Sequence, residues 1–299
     1  MTSPEQPACV RHPDRPTGLR CVRCERPACP ECLREASVGY QCVDCVNEGR
    51  RTQRQATTVA GAQVTTNTKP VVVPILVLLN VGYFVLNAVQ ASSLTSNSAS
   101  ISFEMGVLWP PVVASGEWWR LITSGFLHYG PIHLLMNMFA LWIIGRDLEL
   151  LLGRVRFAAL YLVALLGGST AVFLFSSMSS ATAGASGAVF GLMGAMAVAV
   201  FRLKLPVGQA LGIIALNIVF SFTVPQISWL GHIGGLVTGA LVAIGLLYPP
   251  AKIRTQVQVA TVVGLLVVLV ALVFVRDGDF AGNITCEYNP RLNCYRLGA

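Results

Sequence analysis

From Pro70 onward the chain is built of long apolar runs, seven in all: Val71–Ala91, Ile132–Leu152, Phe157–Met178, Ala185–Phe201, Val207–Val224, Trp229–Tyr248 and Val259–Val275. At about 1.5 Å per helical residue, runs of this length can cross a hydrocarbon layer about 30 Å thick. A backbone in lipid must satisfy its own hydrogen bonds, so such runs fold as helices. The sequence therefore predicts an all-α membrane protein with a seven-transmembrane helical bundle. Only 12% of residues are charged, about half the share of soluble domains. The net charge of +7 is not arranged as a basic stripe among aromatics, which argues against nucleic-acid binding.

Three parts precede or follow this bundle. Residues 1–47 form a compact Cys-rich module, and residues 48–69, polar and rich in Thr and Gln, read as a flexible linker. Met1–Lys69 contains no apolar stretch of the signal-peptide kind. The core covers 70–250, the seventh helix 251–276, and a tail 277–299 follows. The loop Ser92–Pro131 is semi-polar and aromatic, and part of it is expected at the membrane interface.

Basic residues orient the bundle. With the N-terminus cytoplasmic, the internal loops carry Arg146, Arg154, Arg156, Arg202, Lys204, Lys252 and Arg254, while the short external loops near Ser179 and Gln226 carry none. That is the positive-inside pattern, and it places the C-terminus outside. Arginine far outnumbers lysine, which points to a bacterial plasma membrane. Cys286 and Cys294 then face the outside, where they can form a disulfide, and the N-terminal cysteines face the reducing cytosol, where clusters bind metal.

Those cysteines have a ligand spacing: Cys9-x2-His12, Cys21-x2-Cys24, Cys29-x2-Cys32 and Cys42-x2-Cys45. Eight thiolate or imidazole ligands suffice for two closed, structural Zn2+ sites. A module this small has too little core to fold alone, so metal supplies much of its folding energy. The spacing resembles B-box zinc fingers, whose interleaved ligands imply Cys9, His12, Cys29 and Cys32 at one ion and Cys21, Cys24, Cys42 and Cys45 at the other. Sequential pairing is the alternative.

Ionisable and polar groups within spans are costly and therefore informative. Three spans run from outside to inside, and their first turns carry His133 and Asn137, then Ser186, then His232. Gly184, Gly187, Gly191 and Gly194 line one helical face, and Gly231, Gly235 and Gly239 line another. Small faces let helices approach closely, which puts Ser186 and His232 within reach of each other. In this reading Ser186 is a nucleophile, His232 its general base, and the Ser186 N–H, His133 and Asn137 form an oxyanion hole. No Asp or Glu lies between Leu150 and Arg276, and Asp147 and Glu149 stand about 20 Å below the site. The expectation is a dyad whose histidine is oriented by packing on Phe190. No cofactor serves catalysis. A zinc hydrolase built from His128, His133 and His232 lacks the usual carboxylate. Glu149 is expected to pair with a cytoplasmic arginine.

These residues, in "GASG", "GHIGG", "HYGPIHLLMN", "EWWR" and "GRDLELLLG", resemble the rhomboid intramembrane serine proteases across about residues 70–250. The resemblance implies a six-helix catalytic core, one extra C-terminal helix, and cleavage of transmembrane protein substrates near the outer face. His128, Trp119, Arg120, Phe190, Gly231 and Gly235 are expected to support the site. Phe190 stands where the family often has Tyr, and Gly231 where Ala is commoner. The alternative function is an inactive adaptor that binds client membrane proteins. The zinc module, on the opposite side of the bilayer, is expected to recruit a cytosolic partner.

Overall fold

The computed structural model describes residues 6–52, 56–64, 69–223, 227–280, 284–288 and 292–296, in two compact units, Met1–Ala56 and Thr57–Ala299. In the first, strand β1 (Ala8–Cys9) pairs antiparallel with β2 (His12–Pro16), and β3 (Leu33–Glu35) with β4 (Tyr40–Cys42). Helix α1 (Val43–Thr52) follows, buries Cys45, and places Arg50 and Arg51 in its last turn, where cations suit the helix dipole.

The second unit is helical. Helix α2 (Val72–Ala91) leads to three short helices, α3 (Ile101–Gly106), α4 (Pro110–Ala114) and α5 (Arg120–Thr123). Then come α6 (Gly130–Leu152), α7 (Arg154–Phe175), α8 (Ser186–Arg202), α9 (Gly208–Thr223), α10 (Trp229–Leu247) and α11 (Arg254–Phe280). Among the described residues, each of the seven expected apolar runs falls for most of its length on a helix. Four helices, α2, α7, α10 and α11, are long and apolar enough to cross a membrane, and α8 and part of α9 are apolar but shorter. Helix α6 has 23 residues and carries Arg146, Asp147 and Glu149 near its end.

Helix α8 is central, with most of its side chains buried against α6, α7 and α10. Backbone contact makes this possible. A Cβ on Gly235 or Gly239 would overlap the carbonyl of Gly187 or Gly191, and one on Gly168 would lie 2.7 Å from the Gly231 carbonyl oxygen. The two glycine faces read from the sequence thus meet each other, with α7 against both. Helix α9 is peripheral. Ser221 is its one buried side chain among the described residues.

Two expectations change here. Part of the expected linker, 48–69, is ordered: α1 runs to Thr52, and Thr57 bridges Gln63 around a turn that buries Ala60. Thr58 donates to the Leu151 carbonyl, and Gln258 donates to the Ala60 carbonyl. The turn buries only small alanines, so it carries no apolar signal. Residues 53–55 and 65–68 of that linker lie outside the described residues. Glu149 also does not pair with arginine in its described hydrogen bonds. Its buried carboxylate accepts the N–H groups of Val71, Val72 and Val73 at 2.6, 2.9 and 2.9 Å, capping the N-terminus of α2, where unpaired donors and the dipole favour an anion.

At the other end, strands β5 (Ile284–Tyr288) and β6 (Leu292–Arg296) form a hairpin in which Cys286 lies opposite Cys294, and a disulfide joins them.

Candidate active site and metal clusters

The residues singled out in the spans sit at one end of three helices. Ser186 is the first residue of α8, His133 is in the first turn of α6, and His232 is in the first turn of α10. Local chemistry fixes each start. Ser228 N-caps α10 by accepting the Gly231 N–H at 3.3 Å. Pro131 opens α6, and Asn97 staples the chain before it, donating to the His128 carbonyl at 2.8 Å and accepting the Gly130 N–H at 2.9 Å. Before α8, Gly184 takes φ +136°, a conformation side chains rarely adopt, and donates to the Ser124 carbonyl at 2.9 Å.

His232 is buried, and its ring stacks on Phe190, centroids 3.9 Å apart and planes within 13°. Phe190 stands one turn beyond Ser186 on α8. The neighbours of the pair also touch: a Cβ on Gly187 would lie 3.4 Å from the Gly231 carbonyl oxygen. Ser186 Oγ makes no hydrogen bond among the described residues. The expected hydrogen bond between Ser186 and His232 is therefore not formed, and the described partner of His232 is Ser221.

His133 Nδ1 accepts the Tyr129 N–H at 3.3 Å, so its proton resides on Nε2. That nitrogen lies 2.9 Å from the point where a Gly184 Cβ would stand, and Ser186 Oγ lies 3.6 Å from the same point. The glycine therefore leaves a space that a donor and a hydroxyl both border. Asn137 spends one amide proton on the His133 carbonyl, at 2.9 Å, and retains a second.

His128 is fully buried in the loop before α6. Its Nε2 accepts the Ala185 N–H at 3.5 Å, and its ring meets His133 edge-on at 5.1 Å. Burial first, then the neighbouring His133, pull its pKa down to about 3, so it is a neutral prop for the turn that presents Ser186. Arg120 is fully buried, paired with Glu117 at 2.7 Å and donating to the Glu104 and Val107 carbonyls. It organises the loop. Trp119 is half exposed and donates to the Met105 carbonyl at 3.3 Å. Gly231 and Gly235 serve the helix contacts already described.

One residue escaped the sequence reading. Ser221 Oγ on α9 lies 2.6 Å from His232 Nδ1, so packing on Phe190 is not all that orients the ring. The sequence holds only an ambiguous signal for it: Ser221 is a polar residue in an apolar run, eleven positions before His232.

A small void of about 30 Å³ borders Ser186, Gly187, Ser124, Val172 and Gly231, room for about one water or a methyl group. An open cleft of about 670 Å³ lies nearby, lined by Tyr129, Ser176, Ser180, Thr182, Ser228 and Trp229 among others.

In the N-terminal unit the ligands gather as Cys9, His12, Cys29 and Cys32, and as Cys21, Cys24, Cys42 and Cys45, each set within 4.8 Å. The interleaved arrangement is the one formed. His12 Nδ1 lies 3.4 Å from the sulfurs of both Cys29 and Cys32, and the Cys24 and Cys42 sulfurs are 3.7 Å apart. Tetrahedral ligands about 2.3 Å from one ion stand roughly 3.8 Å apart, so each cluster can hold a metal ion.

The Rhomboid domain model matches residues 115–249. The chain is similar to the Rhomboid protease GluP of Bacillus subtilis (strain 168), 37% identical over 64% of this chain and 38% of the relative. It is also similar to RHOMBOID-like protein 6, mitochondrial, of Arabidopsis thaliana, 37% identical over 66% of this chain and 73% of the relative. The Putative rhomboid protease YdcA of Bacillus subtilis (strain 168) is 35% identical over 44% of this chain and 68% of the relative. The chain thus spans well under half the length of GluP but two thirds or more of the other two.

Proposed function

This chain belongs to the rhomboid family, and from that premise we propose that it is an intramembrane serine endopeptidase acting on transmembrane segments of other proteins. The observation that carries the reading is the stacking of His232 on Phe190, one turn from Ser186, across the glycine contact between α8 and α10.

The proposed chemistry follows from the residues. A substrate segment that has unwound at the outer face lies in the open cleft, and its scissile carbonyl meets Ser186. As the Ser186 oxygen bonds to the carbonyl carbon, His232 Nε2 takes the hydroxyl proton. The Ser186 N–H at the helix N-terminus, His133 Nε2–H and the second Asn137 N–H stabilise the oxyanion. The carbon–nitrogen bond then breaks, and His232 returns the proton to the leaving amine. Water from the outer side hydrolyses the acyl-enzyme. The void beside Ser186 admits a side chain about the size of alanine at the cleaved position.

In this reading α2 and α6 to α11 all cross a bacterial plasma membrane, the N-terminus is cytoplasmic, and the Cys286–Cys294 disulfide is outside. The two metal clusters bind structural Zn2+, as their thiolate and imidazole donors suit it. The module recruits a cytosolic partner.

A fluorophosphonate probe tests the core of this. Membranes carrying the wild type are expected to be labelled, and those carrying Ser186→Ala or His232→Ala to lose essentially all labelling. Equal labelling of wild type and Ser186→Ala overturns the proposal, and the inactive-adaptor reading requires that neither react.

A further inference from the structure

We infer that Ser221 is the positioning residue for His232, occupying the role that a carboxylate fills in a catalytic triad. This inference rests on the reading of Ser186 as nucleophile and His232 as its base. Ser221 Oγ donates its one proton to the Asn217 carbonyl, one turn back on α9, at 2.7 Å. It therefore meets His232 Nδ1, 2.6 Å away, as an acceptor. The direction of the chain is thus set: His232 Nδ1–H to Ser221 Oγ, and Ser221 Oγ–H to the Asn217 carbonyl. With its proton held on Nδ1, the imidazole keeps a lone pair on Nε2, the nitrogen that must take the Ser186 proton. The opposite tautomer would present Nε2–H to Ser186 and be unable to act as a base.

Placement supports a dedicated contact. Ile214, Asn217 and Ile218 make a half-buried stripe of α9 with Ser221, and Ser221 is the only described side chain of that helix that is buried. A serine buried among apolar residues needs hydrogen-bond partners, and here the backbone takes its proton and the imidazole meets its oxygen. A hydroxyl suits a site with no nearby carboxylate. Being neutral, it costs far less to bury in lipid than Asp, yet its oxygen dipole still favours the imidazolium formed during acylation. Orientation comes from two directions: Phe190 on α8 fixes the plane of the ring and Ser221 on α9 fixes its rotation and tautomer.

The test uses the full-length chain in proteoliposomes and the rate of fluorophosphonate labelling. In that reaction the Ser186 oxygen bonds to phosphorus, fluoride leaves, and His232 Nε2 takes the proton, so no natural substrate is needed. Ser221→Ala is expected to label about 10- to 100-fold more slowly, the worth of one hydrogen bond to a group that becomes charged. Ser221→Thr keeps the hydroxyl and is expected to restore the rate to within about threefold of wild type. Nitrogen-15 spectra of the histidine side chains are expected to show His232 protonated at Nδ1 in wild type and Ser221→Thr, and a mixture of tautomers in Ser221→Ala. Wild-type labelling with an unchanged rate in Ser221→Ala overturns the inference and leaves the protease reading intact. Slow labelling in both Ser221→Ala and Ser221→Thr with an unchanged tautomer also overturns it, since that is a packing defect. If wild type and Ser186→Ala label alike, it is the protease reading that fails.

Discussion

In the unit Met1–Ala56 most of the buried described residues are cysteines, whereas in the unit that begins at Thr57 the closest contacts involve residues with no side chain at all. The first has a core of Cys9, Cys21, Cys29, Cys32, Cys42 and Cys45, with Ala28, Leu33 and the partly buried Cys24 and Val43 beside them. The second buries large apolar side chains such as Phe157, Leu160, Tyr161 and Leu192, and brings α8 and α10 together through Gly187, Gly191, Gly235 and Gly239. The contrast follows from solvent. In water a chain of about fifty residues cannot gain enough from apolar burial, so on the proposed metal-binding reading ligand bonds take over. In lipid, side chains gain little from meeting each other rather than acyl chains, so shape and close backbone approach decide which helices associate.

Metal removal should expose the contrast most strongly. Structural Zn2+ contributes on the order of 10–16 kcal/mol to zinc-finger peptides, more than a small domain's whole stability, and the proposed reading places the two clusters in that class. A strong chelator is expected to open the N-terminal unit of the full-length protein to protease cleavage while Ser186 remains reactive to a fluorophosphonate. Cys21→Ser is expected to act in the same direction on the second cluster alone. A module that resists protease equally with and without chelator would remove metal from the account of its fold.

The two units also differ in what their sequences disclose. Paired cysteines at fixed spacing report their chemistry directly, and the long apolar runs announce helices because lipid leaves the backbone no alternative. His133, Ser186 and His232 stand out because polar groups in such runs are rare. Which helix faces meet is readable from the glycine spacing alone. Three features were not readable, each for a physical reason. Glu149 caps a helix seventy-odd residues away in sequence, a partnership that no local pattern encodes. The turn at Thr57–Gln63 buries alanines within a polar stretch, so its composition mimics a linker. Ser221 lies on a different helix from His232, and an isolated serine in an apolar helix is also consistent with simple bonding to its own backbone, which it does too.

The glycine contacts give the next test. Ala is ordinarily the better helix former by about 1 kcal/mol, so Gly235→Ala would stabilise an isolated helix. Here the added Cβ overlaps the Gly187 carbonyl, and α8 and α10 must part. Overpacking of this kind costs about 1–3 kcal/mol. A shift of about 1 Å at a catalytic group can cost roughly 100-fold in rate, and Gly187 is the residue next to Ser186. The expected outcome is a lower melting temperature in detergent and labelling of Ser186 slowed by about two orders of magnitude. Unchanged labelling in a folded Gly235→Ala protein would mean the close approach is dispensable.

The smallest effect sharpens the same point from the other side. At Gly212 on α9 and Gly264 on α11 a Cβ would meet no described atom within 4 Å beyond its chain neighbours and its own helix backbone. There the helix preference for alanine should act unopposed, so Gly212→Ala and Gly264→Ala are each expected to stabilise by up to about 1 kcal/mol. Labelling of Ser186 is expected to match wild type for Gly264→Ala, which lies on the helix beyond the core. Gly212→Ala is the more informative of the two, because α9 also carries Ser221. An unchanged rate there shows that stiffening α9 leaves the contact with His232 in place. A slowed rate that Gly264→Ala does not share would mean that His232 needs α9 to bend at Gly212, and that this glycine, unlike those of α8 and α10, is kept for its backbone freedom and not for close packing.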